Sequence, residues 1–148
     1  MGIFSGFIYG LTLASDSGDA TNDISVSAGV AMDRTNSEFL TLTGARIKRL
    51  DASWVVGTNQ GGLDTGAIAN TTYYVYVIKR TDTDVVDVII SADSTAPTMP
   101  SSYDYKRLIG WFDYVDSDGL TAAEIQQLQR LSKLTQKTIQ PILDRLGL

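Results

Sequence analysis

From residue 7 to about residue 115 apolar and polar positions alternate with period two, the signature of β-strands that bury one face. Phe7, Tyr9, Leu11 and Leu13 share one parity, and Ile24, Val26, Ala28 and Val30 share another. Asp, Ser, Gly and Asn cluster between them and supply turn chemistry. Leu40 and Leu42 alternate with Phe39, Thr41 and Thr43, and Gly44 then precedes the basic stretch ARIKRL. Its charges fall on both faces, and Lys and Arg discourage edge-to-edge pairing, so the stretch reads as an edge strand. The following segment, DASWVVGTNQGGLDTGAIAN, sets Gly57, Gly61, Gly62 and Gly66 around Trp54 and reads as a long ordered loop between sheets. It lacks the Gly-Lys-Ser/Thr ending and the strand-to-helix setting that a phosphate-cradling loop requires.

The clearest unit is YYVYVIKR, then TDTD, then VVDVIIS, a β-hairpin. A turn centred on Asp82 and Thr83 pairs Lys79 with Val86, Val77 with Val88 and Val75 with Ile90, an almost wholly aliphatic face that must be core. The other face carries Tyr74, Tyr76, Ile78 and Arg80 opposite Ser91, Ile89, Asp87 and Val85. Such a face is covered by a neighbouring strand, forms a subunit interface or contacts a ligand, which makes Tyr74, Tyr76, Ile78 and Ile89 candidate interface or ligand residues. Pro97 and Pro100 mark a polar loop, and Gly110, beside Trp111, marks a bulge or a close approach in the strand YKRLIGWFDYV. Six to eight short strands with no intervening helix predict a mainly β fold, an antiparallel, jelly-roll-like β-sandwich over residues 1–118.

At DSDG the period changes. Thr121 with Glu124 forms a capping box, and Ile125, Leu128, Leu131, Ile139, Ile142, Leu143 and Leu146 fall within about 120° of helical arc. The expectation is a C-terminal amphipathic α-helix within residues 119–148, kinked at Pro141 and closed at Gly147. A lone helix after a β domain packs on its own sheet or pairs with copies of itself, so Ile125, Leu128, Leu131, Ile139, Ile142 and Leu146 are candidate oligomer contacts.

The 148 residues are enough for one domain with a short appendage, at 43% hydrophobic and 20% charged residues a globular composition. Twelve Lys and Arg against seventeen Asp and Glu give a net charge of -5, the wrong sign for gripping a nucleic-acid backbone. With no Cys and no His, disulfides, thiol nucleophiles, zinc sites of the usual kind and His-based general-base schemes are absent. No run approaches the roughly 20 apolar residues of a membrane helix, so no membrane insertion is expected. The apolar start lacks a basic n-region and is not read as a signal peptide.

Few groupings suggest chemistry. Asp116, Asp118, Gly119 and Glu124 resemble a calcium loop, but the span from Asp116 to Glu124 is nine residues and an EF-hand needs about twelve. The helix start explains the same residues. Carboxylate pairs for glycoside hydrolysis could be drawn from seventeen acids, yet Asp16, Asp19, Asp23, Asp82, Asp84 and Asp93 sit in turn-like clusters with ordinary structural work. Trp54 and Trp111 could stack on sugar rings, though core packing is the commoner use. No cofactor and no catalytic residue is expected.

The stretch from residue 50 to residue 112 resembles a β-rich module of tailed-bacteriophage and prophage structural proteins, of the tail-fibre type. The residues that carry the likeness are Gly61 to Gly66, Tyr73 to Ile78, Val85 to Ile90, Thr95 to Pro100, and Tyr103 with Lys106, Arg107, Ile109 and Gly110. The resemblance implies a non-enzymatic virion component, usually homotrimeric, made in the host cytoplasm and built into the particle beside other virion proteins. A helix after the last strand and a short chain depart from full-length fibres and favour a small free-standing fibre or adaptor. Capsid decoration or head-fibre proteins are the alternative, and a carbohydrate-binding module for host surface glycan is a third reading.

Overall fold

The computed structural model describes residues 6–19, 21–115 and 125–127. In chain order the strands are β1 (Ile8–Gly10), β2 (Leu13–Ser15), β3 (Asp23–Val26), β4 (Gly29–Met32), β5 (Phe39–Leu42) and β6 (Arg46–Ser53). There follow β7 (Gln60–Leu63), β8 (Thr71–Arg80), β9 (Val85–Ser91), β10 (Tyr105–Tyr114) and β11 (Ile125–Gln127). They form a three-stranded sheet, β1-β4-β5, and an eight-stranded sheet, β11-β10-β8-β9-β7-β6-β3-β2. The outermost strands of the large sheet, β11 and β2, approach one another, so the sheet curls into a near-barrel.

One two-stranded ribbon serves both sheets. β1 pairs with β4 in the small sheet, and the same two chain segments continue as β2 paired with β3 in the large one. The fold in the ribbon lies at Gly10 opposite Gly29, where a Cβ on Gly29 would stand 2.3 Å from the Tyr9 carbonyl oxygen and one on Gly10 2.5 Å from that of Ala28. Only glycines permit that approach. Leu11 then takes φ of +55°, which inverts the parity: Ile8, Leu11 and Leu13 are buried while Tyr9 is 65% exposed. The shared parity read for Phe7, Tyr9, Leu11 and Leu13 is therefore broken by the passage between sheets. In the same way Ile24 and Val26 are buried in β3, and the buried members of β4 are Ala31 and Met32 rather than Ala28 and Val30.

The hairpin has the predicted register, with Lys79 opposite Val86, Val77 opposite Val88 and Val75 opposite Ile90. Its aliphatic face joins Ile24, Val26, Leu40, Leu42, Leu50 and Phe112 in the main core. Burying each such side chain contributes about 1.5–3 kcal/mol before chain entropy is charged against it. β10 pairs along the other side of β8, and the register shifts between Leu108 and Gly110, the bulge anticipated at Gly110.

Four expectations are corrected. The large sheet is mixed rather than antiparallel, because β7 runs parallel to both β6 and β9, which also departs from a jelly roll. ARIKRL forms part of an interior strand, β6, lying between β3 and β7, and the glycine-rich segment read as a loop supplies β7. A Cβ on Gly61 would fall 1.9 Å from the Ser53 carbonyl oxygen, so the absent side chains let β7 slot between its neighbours. Ile125 lies in a short strand with Gln126 and Gln127, antiparallel to Gly110–Phe112, instead of in a helix, because its backbone groups complete the open edge of β10. The other predicted helix positions, Leu128, Leu131, Ile139, Ile142 and Leu146, and the acidic group at 116–124, lie outside the described residues.

Candidate functional site

The second face of the hairpin is covered from within the chain. Tyr76, Ile78 and Ile89 are buried beneath Trp54, Met99 and Tyr103, side chains carried by the segments after β6 and β9, while Tyr74 stays half-buried at the margin. The ring of Trp54 meets that of Tyr103 edge-on with centroids 5.2 Å apart, and its Nε1 donates to the Val88 carbonyl at 2.9 Å. The Tyr76 hydroxyl donates to the Asp93 carbonyl at 2.8 Å. Burial first, and the nearby Asp93 charge second, push its phenol up to about 12. Of the four residues read as an interface or ligand face, three are thus enclosed by the chain's own loops.

Beneath that aromatic cover lies a buried ionic group. Lys48 and Asp87 are both fully buried, with Nζ and Oδ2 3.0 Å apart. The ammonium also donates to the carbonyls of Val55 at 2.8 Å and Gly57 at 2.7 Å, so its three donors are all used. Asp87 accepts from the amides of Gly57 at 2.9 Å and Val88 at 2.8 Å, and Arg46 Nε stands 3.5 Å from Oδ1. Lys48 lies 5.3 Å from the Trp54 ring centroid. Burial lowers the Lys48 pKa, and Asp87 opposes that fall. With every donor committed and no opening to solvent at Lys48, this group acts as a structural tie between β6, β9 and the loop after β6.

A cavity of about 420 Å³ opens where the turn after β4 meets β10. The turn is organised by Asp33, whose carboxylate accepts from the amides of Thr35 at 2.9 Å, Ser37 at 2.7 Å and Glu38 at 2.7 Å, and from the Thr35 hydroxyl. Burial raises the Asp33 pKa, but these hydrogen bonds outweigh it and hold the group below 3.8. The sign follows: Asp33's contribution to stability is complete above pH 3.8 and is lost as pH falls through its lower folded-state value. Asp33→Ala is expected to cost about 2 kcal/mol at neutral pH, and the deficit should shrink on acidification. Chemical unfolding across the acid range measures both, and a deficit independent of pH would refute the role. Arg34, Lys106 and Arg107 line the cavity beside Tyr76.

Most of the acids read as turn residues do that work, whereas Asp23 lies in β3. Asp16, Asp19 and Asp93 accept from amides two or three residues ahead, and Asp82 pairs with Arg80. What the sequence reading missed is Lys48 with Asp87, and Arg34. Asp87 is the one acid inside the apolar run VVDVIIS, and Lys48 shares the parity of Leu50, two signals of a buried pair. Nothing in the local sequence brings Arg34 to Lys106, because the contact spans about 70 residues of chain and depends on how β4 leaves its sheet. Comparison with protein-family models, with curated proteins and with solved structures yields no match.

Proposed function

We propose that this protein is a non-enzymatic structural component of a tailed-phage virion, tail fibre-like or an adaptor, working as a homotrimer. The observation that carries the reading is that the residues resembling phage structural modules serve here as one scaffold. Gly61 and Gly62 make the tight strand β7, and Asp64 Oδ2 in the same turn accepts from the Thr98 amide at 2.8 Å, tying it to the Thr95–Pro100 loop. That loop supplies Met99 to the cover of the second core. In β10, Arg107 donates to the carbonyls of Met32 at 3.1 Å and Gly6 at 3.2 Å, while Ile109 is buried at the bulge. Arg107 and the glycines at the matching positions thus tie strands and loops of the fold together.

Light scattering on the full chain tests the assembly. A mass near three times the 16.0 kDa chain is expected at micromolar concentration, and a clean monomer there would count against it. Imaging of a particle containing the protein would separate a tail position from capsid decoration.

A further inference from the structure

Beside the first half of β10 the fold gathers positive charge around a concave space. Among the described residues β11 pairs with β10 over Gly110–Phe112, and the turn after β4 lies against the strand at Lys106. That turn docks through the Arg34 amide, which donates to the Lys106 carbonyl at 2.9 Å. Arg34, Lys106 and Arg107 consequently share one cavity in a chain whose net charge is -5. Among the described residues the only carboxylate lining it is Asp33, and both of its oxygens already accept from the turn. Among the described residues no carboxylate pairs with Arg34 or Lys106, although the chain carries more acids than bases. Neighbouring cations without a counter-charge repel, and an anion between them relieves that repulsion.

We infer that this cavity is a binding site for an oxyanion, a carboxylate or phosphate, borne on a small hydroxyl-rich molecule. The cations supply charge-assisted hydrogen bonds to the anionic group. Ser94 and Thr95 stand at the same cavity with hydroxyls. The Asn36 side chain accepts from the Gly6 amide through Oδ1 at 2.7 Å, which leaves its NH2 to donate. Leu108, half-buried in the cavity wall, gives an apolar surface suited to the carbon face of a ring. The volume of about 420 Å³ suits a single sugar-sized unit and falls at the small end of ordinary ligand pockets.

The test is an amide-resolved NMR titration of the full chain, at constant ionic strength, with sodium glucuronate, inorganic phosphate and glucose as three separate probes. Saturable shifts at Arg34, Ser94, Thr95 and Lys106 with glucuronate support a carboxylate ligand. The same shifts with phosphate alone support a phosphate ligand. Arg34→Gln and Lys106→Gln should each weaken the binding about tenfold, while Arg34→Lys retains part of it. Arg34 is exposed and Lys106 half-buried, so unchanged melting temperatures will show that the variants remain folded. No saturable shift with either anion overturns the assignment. So does equal binding of glucose and glucuronate, or full affinity in both Gln variants.

Discussion

Asp87→Ala is expected to remove about 3–5 kcal/mol of unfolding free energy, seen as a lower urea midpoint with an unchanged slope. The loss comes from what is left behind. Lys48 is fully buried, and without Asp87 its charge keeps only the carbonyls of Val55 and Gly57, while the Gly57 amide loses its acceptor. Lys48→Met combined with Asp87→Leu should recover most of that stability, because both charges and both desolvation costs then disappear together. A pH dependence follows. Burial already holds Lys48 below 10.5 despite Asp87, so the unfolded chain binds that proton more tightly and stability rises with pH between the folded value and 10.5. Without the carboxylate the folded value falls further, and the deficit of the single variant should narrow toward pH 10.5 as the amine becomes neutral in both states. A single variant within about 1 kcal/mol of the parent would mean the pair is not enclosed as described.

Gly61→Ala is expected to cost at least about 3 kcal/mol, whereas Gly66→Ala should cost about 1 kcal/mol. Gly61 pairs with Arg49 in the parallel ladder, and its added Cβ would sit 1.9 Å from the Ser53 oxygen and 2.7 Å from the Ser53 carbonyl carbon. Both obstacles are backbone, so relief requires pulling β7 away from β6. Gly66 faces open space and is constrained only by its φ of +75°. In a domain of this size these costs correspond to falls in melting temperature of about 10 °C and about 3 °C. Equal falls would show that Gly61 does not occupy the tight slot between strands.

The local sequence carried the hairpin in full, because a two-faced strand pair with a polar turn has one register that buries its aliphatic residues. It also carried the Gly110 bulge and the buried leucines of β5. It misread ARIKRL, because counting charges cannot reveal that Asp87, 39 residues away, makes an interior Lys48 tolerable. The GGL segment failed for a related reason: strand propensity measures side-chain packing, and β7 exists through the lack of side chains. For Ile125, helical spacing competed with an open strand edge, and the edge prevailed in the described residues.

Alternation, turn residues and the absence of His and Cys determined by themselves that this is a β protein without thiol or imidazole chemistry, since period and side-chain identity are local properties. Tertiary structure alone decided the parallel strand, the fold of the ribbon at Gly10 and Gly29, the enclosure of Lys48 with Asp87, and the meeting of Arg34 with Lys106. Each of these joins residues far apart in the chain. Their energies depend on burial and on partners that exist only after the sheets have closed.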